Sequence, residues 1–381
     1  MEQKTRQSNF ELLRIISMLM IVAHHLSVHA CFNPVNYNIV SAENIEAIHF
    51  NKMLIYLLYP GGQIGVALFM MISGFFVCCK ESVSIRKVAR QVIFYAFTLT
   101  VIFFIVFSYL KFTNNTEVLG IIDLGRPINE LVKNLTAIIC RPVTGGAWWF
   151  ATTYVLIMLV SPLINQFLNG INKRGFILLL ATFYILYYVQ VTIFGREFVE
   201  VIRLLLFYLL GAFIRLHCSS QVKTTNAILY LLSATILWLA IVGKRHIFGF
   251  LPTSSQVFIQ ATKFFELCIC VPLASICIFR FFQSLHFSNA LINKISSATF
   301  GVYLIHDCNL LCYIVWISVL HVADVQILSP LFPLYAILDV VAIYSICTII
   351  DLLRQRYIAP KFEAWCDKME NKIKAWCCDE K

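Results

Sequence analysis

The chain has 381 residues, of which 60% are hydrophobic and only 13% charged, and its mean hydropathy is +0.79. So little polar side chain cannot clothe a soluble globule, which excludes a water-soluble enzyme and leaves a polytopic membrane protein. A formal net charge of +10 would suggest nucleic acid in a soluble chain. In a membrane protein it fits basic cytoplasmic loops, so no nucleic-acid partner is expected.

The apolar runs, 17 to 25 residues long, have helix length and lack the alternation of an outer-membrane barrel. The first, Phe10 to Ala30, holds an arginine and is not followed by a small-residue cleavage site, so it is expected to stay as a helix. It carries Arg14, His24, His25 and His29. Titratable groups in hydrocarbon are costly, rare and usually face a polar interior, which makes this segment a functional suspect. At about 100° per residue, eleven residues make three turns plus about 20°, so Arg14 and His25 share one face about 16 Å apart. His24 points about 100° away, and His29 lies near the same stripe at the outer mouth.

The fold class expected is all-α, a membrane bundle of about ten spans: Phe10 to Ala30, Gln63 to Cys79, Val88 to Leu110, Ala147 to Phe167, Phe176 to Phe194, Phe198 to Leu216, Ala227 to Val242, Phe264 to Phe282, Ala298 to Leu320 and Leu331 to Leu353. With the N-terminus inside, 19 Lys and Arg fall on cytoplasmic segments against nine outside, among them Lys244, Arg245 and Lys263. The positive-inside rule therefore puts both termini in the cytoplasm, in a multi-pass protein of the cell membrane. Residues 1–353 form the membrane domain and 354–381 a basic tail. In that tail Phe362, Trp365, Met369, Ile373 and Trp376 recur every three to four residues, as in an amphipathic helix on the inner leaflet.

Between the first two spans, Met53 to Gly62 is apolar but short and ends in a Pro-Gly-Gly break, which reads as a half-helix or interfacial segment leading into the second span. The loop Lys111 to Gly146 has apolar patches of its own, Val118 to Ile122 and Leu131 to Ile139, and Gly243 to Lys263 reads as loop. After the second span, Arg86, Lys87 and Arg90 gather at the start of the third. They serve either as a topology signal or as a phosphate clamp at a helix N-terminus. Late in the chain, His306 and Asp307 lie about ten residues into the ninth span with Tyr303 one turn back, and the tenth buries Asp339. Two acids and a histidine in one bundle point to a lined polar cavity, where a carboxylate near an imidazole can fix its tautomer. The fourteen cysteines form no metal-ligand set and read mainly as packing residues. Cys31 and Cys140, both expected near the outer face, are the pair placed for a disulfide.

Taken in order, these features resemble the acyltransferase 3 family of integral-membrane acyltransferases along almost the whole chain. Arg14 and His25 match the family's basic residue, ten intervening residues and histidine. Gly65 to Phe75 is similar to its G-V-x-L-F-F-x-x-S-G-F helix, and Lys87 to Arg90 to its R-x-x-R, with lysine in the first place. Trp148 and Trp149 before a helix that reaches Pro162, and the phrase Phe300 to His306, complete the set. The lysine keeps the charge and loses the bidentate fork.

The resemblance implies an enzyme that moves an acyl group, most often acetyl, from cytoplasmic acyl-CoA to a hydroxyl of a cell-surface or lipid-linked carbohydrate. It implies His25 as general base or acyl carrier, oriented by Asp307 and His306. Arg14, Lys87 and Arg90 are expected on the donor, with Tyr303, Trp149 and Ser73 as further substrate-binding residues. No permanently bound cofactor and no metal are expected; acetyl-CoA is the donor substrate, and membrane lipids are partners. The competing reading is an exporter or flippase of polysaccharide or lipid-linked glycan, which a polar bundle centre would also serve.

Overall fold

The computed structural model describes residues 7–31, 45–115, 118–119, 148–191, 199–219, 222–308, 311–312, 314–322 and 325–379, and every regular element among them is helical. The leading helix α1 (Ser8–His25) runs on through a wider π turn to Cys31. It is followed by α2 (Ile45–Leu58), α3 (Pro60–Val77) and α4 (Arg86–Phe112). Next come α5 (Trp149–Gly170), α6 (Lys173–Val189), α7 (Val199–His217) and α8 (Thr224–Val242). The short α9 (Lys244–Ile247) and α10 (Gln256–Phe264) lead through a π turn into α11 (Val271–Ser284). Closing the chain are α12 (Ala290–Ser296), α13 (Thr299–His306), α14 (Phe332–Leu353) and α15 (Ala359–Asp379).

Seven of these helical stretches are long and apolar enough to cross a membrane among the described residues, so the protein is a polytopic helical bundle. Ten spans are expected from the sequence; the described parts of the other three runs are shorter or more charged. Helix α6 is only 17 residues, α7 carries Glu200, Arg203 and Arg215, and the ninth run stops at His306, where Asp307 caps it in a turn. Two loop expectations are corrected. Pro60-Gly61-Gly62 does not break the chain: Tyr59 stays helical (φ −55°, ψ −44°), and Phe50–Val77 is one stretch of 28 residues. Proline fits there because it stands at the first position of α3, where its missing N–H is tolerated. Residues 244–247 and 256–264, expected as loop, are helical, the latter started by the Ser255 side chain accepting from Phe258 N–H.

Lipid tails are as apolar as leucine, so burying apolar surface drives helix pairing in a membrane weakly, and close backbone packing takes its place. Helix α3 is built for that. A Cβ on Gly61 or Gly65 would stand 2.8 Å or 2.6 Å from the Met20 or Ser17 carbonyl oxygen of α1. On its other side, a Cβ on Gly74 would reach 1.9 Å from the Tyr208 oxygen of α7, and one on Gly211 would reach 2.0 Å from the Met71 oxygen of α3. These glycines seat α3 between α1 and α7. Phe10, Phe75 and Phe279 lock α1, α3 and α11 together with ring centroids 5.1 to 5.4 Å apart.

Near the start of α4, the fully buried Asp351 of α14 gathers Tyr95, Arg354 and Gln355, each donating at 2.7 Å, and Gln91 at 3.2 Å. The carboxylate lies against Gly301, where a Cβ would be 2.2 Å from its Cγ. That contact is the physical reason for the glycine in the Phe300 to His306 phrase. Beyond it α14 continues into α15, which docks on α4: Arg90 pairs with Asp367 and Glu370 at 2.6 Å each, and Phe94 packs on Phe362 at 5.6 Å. Cys31 is buried with a free thiol, while Cys140 and the patch Leu131 to Ile139 lie outside the described residues.

Candidate active site

At the end of α1 remote from its N-terminus, four titratable side chains meet across two segments of sequence. The last turn of α1 and the π turn after it supply His25 and His29; the last residue of α13 and its cap supply His306 and Asp307. His25 Nδ1 lies 2.8 Å from His306 Nε2, and His29 Nε2 donates to Asp307 Oδ1 at 3.3 Å. The same Asp307 oxygen is 3.7 Å from His25 Nδ1. All are largely enclosed, with side-chain exposures of 14% for His25, 15% for His29 and 9% for Asp307.

The hydrogen-bond partners fix which ring nitrogen is which. His306 Nδ1 is 2.6 Å from the Val302 carbonyl oxygen, which can only accept, so Nδ1 carries the proton. In neutral His306 the lone pair is then at Nε2, and His25 Nδ1–H donates to it. This leaves His25 Nε2 with a free lone pair, the state a general base or a nucleophile requires. Asp307 adds negative charge beside the Nδ1 edge, where an imidazolium would need it.

His25 stands on the wall of a cavity of about 770 Å³ at this end of the bundle, together with His24, Gln63, Trp149, Arg203 and Glu266. Arg203 is buried, with its guanidinium centred 5.2 Å from the Trp149 ring; it pairs with Glu200 and donates to Gln63. Lys244 pairs with Glu266 and lies 5.8 Å from the centre of the Tyr59 ring. His24 Nδ1 donates to the Tyr59 carbonyl at 2.6 Å, so it stands apart from the His25–His306 pair. The space is thus a vestibule of aromatic and charged side chains lined by two imidazoles, His24 and His25, of which only His25 is held by a second histidine and a carboxylate.

Of the residues singled out in the sequence, the structure brings together His25, His306 and Asp307, with Tyr303 buried one turn below and its ring 6.4 Å from that of His306. Trp149 joins them through the cavity. The others lie elsewhere. Arg14 is held by Glu11 at 2.8 and 2.9 Å, and Glu11 in turn accepts from Ser296 at 2.5 Å. Ser73 donates back to the Phe69 carbonyl of its own helix at 3.0 Å, Lys87 is exposed, and Arg90 is engaged by α15. Asp339 is buried on α14 and does not line this cavity. Near the other end, a second cavity of about 420 Å³ is bounded by Asn9, Phe10, Phe75 and Arg215; Arg14 lines neither.

Two participants were not assigned from the sequence. His29, expected near the His25 stripe at the outer mouth, has no assigned role in the sequence, and the structure sets it against Asp307 from the π turn. Arg203 lies in the apolar run from Phe198 to Leu216, and the cost of a charge in hydrocarbon is the signal by which the sequence marks it. Donor atoms of His25, His29 and Asp307 lie within 4.8 Å of one another, close enough for a metal ion to bridge, but His25 Nδ1 and His29 Nε2 already have partners in the hydrogen-bond chain.

The model of the acyltransferase domain that defines the acyltransferase 3 family matches residues 7–351. The chain belongs to that family. It is therefore a multi-pass membrane acyltransferase, and the match covers both halves of the His25 site. No match was found among curated proteins or among solved structures.

Proposed function

We propose that this acyltransferase transfers an acyl group, acetyl in the simplest case, from acyl-CoA on the cytoplasmic side to a hydroxyl of a cell-surface or lipid-linked carbohydrate, in the cell membrane. The observation that carries the reading is the chain from His25 Nδ1 through His306 to the Val302 carbonyl, which leaves His25 Nε2 as the free base on a cavity wall. In the reaction, Nε2 takes the proton of the acceptor hydroxyl as its oxygen attacks the thioester carbonyl carbon. The carbon–sulfur bond then breaks, and the departing thiolate recovers a proton from the His25 imidazolium. Asp307 and His306 hold the ring and offset its positive charge while the proton resides there.

Trp149 and Tyr59 offer flat apolar faces of the kind on which a sugar ring stacks, and Gln63 offers polar atoms for its hydroxyls. On the donor side, Arg14, Lys87 and Arg90 remain the residues proposed for the CoA phosphates and the path to the thioester. From Arg14 to His25 the axial distance of about 16 Å is comparable to a pantetheine arm. Membranes carrying wild type or His25→Ala, incubated with labelled acetyl-CoA and then extracted for glycan, test the reading. Label is expected in wild-type glycan and lost in the variant; equal label in both removes His25 from the reaction. Succinyl-CoA in the same assay identifies the acyl group.

A further inference from the structure

We infer that the His25 cavity is built for an acceptor bearing an anionic group, so that the hydroxyl to be acylated is presented beside a carboxylate or a phosphate. This rests on the proposed transfer reaction for its biological meaning, and on the cavity alone for its chemistry. Among the described lining residues, four are basic (Arg203, Lys244, Arg245 and Lys263) and two acidic (Glu200 and Glu266). The acids are each committed: Glu200 to Arg203 and Glu266 to Lys244. Arg245 and Lys263 are both exposed at the rim and have no acidic partner among the described residues.

Deeper in, Arg203 is 6% exposed, and its Nε has no hydrogen-bond partner. Its terminal nitrogens engage Gln63 and Glu200, so Arg203 contributes a fixed positive charge to the cavity lining. Topology adds weight to this. Lys244, Arg245 and Lys263 belong to the minority of basic residues on the face away from the N-terminus, where the positive-inside rule gives them no role. Folding gathers all three at one cavity with His25.

The two clusters divide the work. Arg245 and Lys263 supply the attraction at the entrance, where an anion loses little hydration. Arg203, over the Trp149 ring and balanced by Glu200, lines the deeper wall next to the sugar face, so the uncompensated positive charge is that of the rim. A neutral acceptor would leave the rim charges unmatched.

Isothermal titration of the full-length detergent-solubilised protein, without acyl-CoA, tests the inference with trigalacturonate, glucose 1-phosphate and neutral maltotriose as probes. One or both anions are expected to bind about tenfold or more tightly than maltotriose, with the advantage falling as salt rises. The stronger of the two distinguishes a carboxylate-bearing from a phosphate-bearing acceptor. The surface double variant Arg245→Gln, Lys263→Gln is expected to remove the advantage, and thermal unfolding alongside confirms that it folds. Equal affinity for all three probes, no binding of either anion, or an advantage that survives in the folded double variant overturns the inference. Because acyl-CoA is absent, the outcome is independent of transfer. Anion preference together with a failed labelled-acetyl assay would leave the site standing and remove the proposed reaction; labelled glycan without anion preference would do the reverse.

Discussion

His306 Nε2 lies 2.8 Å from His25 Nδ1, although 281 residues separate them in the chain, and His306 is itself pinned by the Val302 carbonyl. The second histidine thus acts on the first by fixing its tautomer. The two should differ in kind when removed. His25→Ala is expected to cut transfer by about 10² to 10⁴, the range for loss of a general base. His306→Ala is expected to lower kcat by less, with KM for acyl-CoA unchanged, because it removes only the orientation of a group that acts in the transition state. Initial-rate kinetics on both variants provide the measurement; an unchanged kcat for His306→Ala would detach His306 from the site.

The carboxylate of Asp307 lies 3.3 Å from His29 and 3.7 Å from His25. Asp307→Asn keeps the shape and removes the charge that stabilises an imidazolium, so transfer is expected to fall by about tenfold or more. His29→Gln keeps a donor toward Asp307 and should cost less. Full activity in Asp307→Asn would exclude the carboxylate from catalysis.

Treatment with 1,10-phenanthroline discriminates proton transfer from metal chemistry at the same side chains, since the His25, His29 and Asp307 donor atoms are within reach of one ion. Unchanged activity is expected, because the mechanism assigned to His25 uses its own nitrogen as the base. Loss of activity restored by added zinc would reassign the cluster as a metal site.

Arg90 has an 11% exposed side chain and two carboxylate partners, Asp367 and Glu370, that are themselves 57% and 38% exposed. If Arg90 contacts the donor, these acids compete with the CoA phosphates for it. The double variant Asp367→Asn, Glu370→Gln is then expected to lower KM for acyl-CoA about two- to fivefold, the scale of solvent-screened ion pairs. An unchanged KM would take Arg90 out of the donor site and leave it as the anchor of α15.

Gly74 and Gly211 face backbone oxygens of Tyr208 and Met71 so closely that an added methyl would lie 1.9 to 2.0 Å away. Either Gly→Ala change forces α3 and α7 apart, at an expected cost of about 1–3 kcal/mol or more. Gly170→Ala, with nothing within 4 Å of its added Cβ, is the matched control and should be near neutral. Thermal unfolding in detergent reads the difference; equal melting points would mean the α3–α7 contact yields without loss.

Membrane character was legible because it follows from composition, and helix-length apolar runs without alternation select helices over a closed barrel as the way to satisfy the backbone in lipid. The pairing of Arg14 with His25 on one face was also legible, since helical period fixes it within one element. Periodicity is silent about neighbours. The sequence placed Pro60-Gly61-Gly62 as a break because those residues disfavour helix in isolation, whereas tertiary packing uses them to bring α3 against Met20 and His24. Arg90, expected as a topology signal or part of a phosphate clamp, is engaged by Asp367 and Glu370 of α15, which period within α4 does not show. His29 lies near the His25 stripe by helical period, but its partner Asp307 comes from another segment, which period cannot reveal. What the sequence determined by itself was therefore the solvent, the helices and one suspect face. The tertiary structure alone decided which nitrogen of His25 is free, since that depends on His306 and Asp307 arriving from the far end of the chain at hydrogen-bond distance.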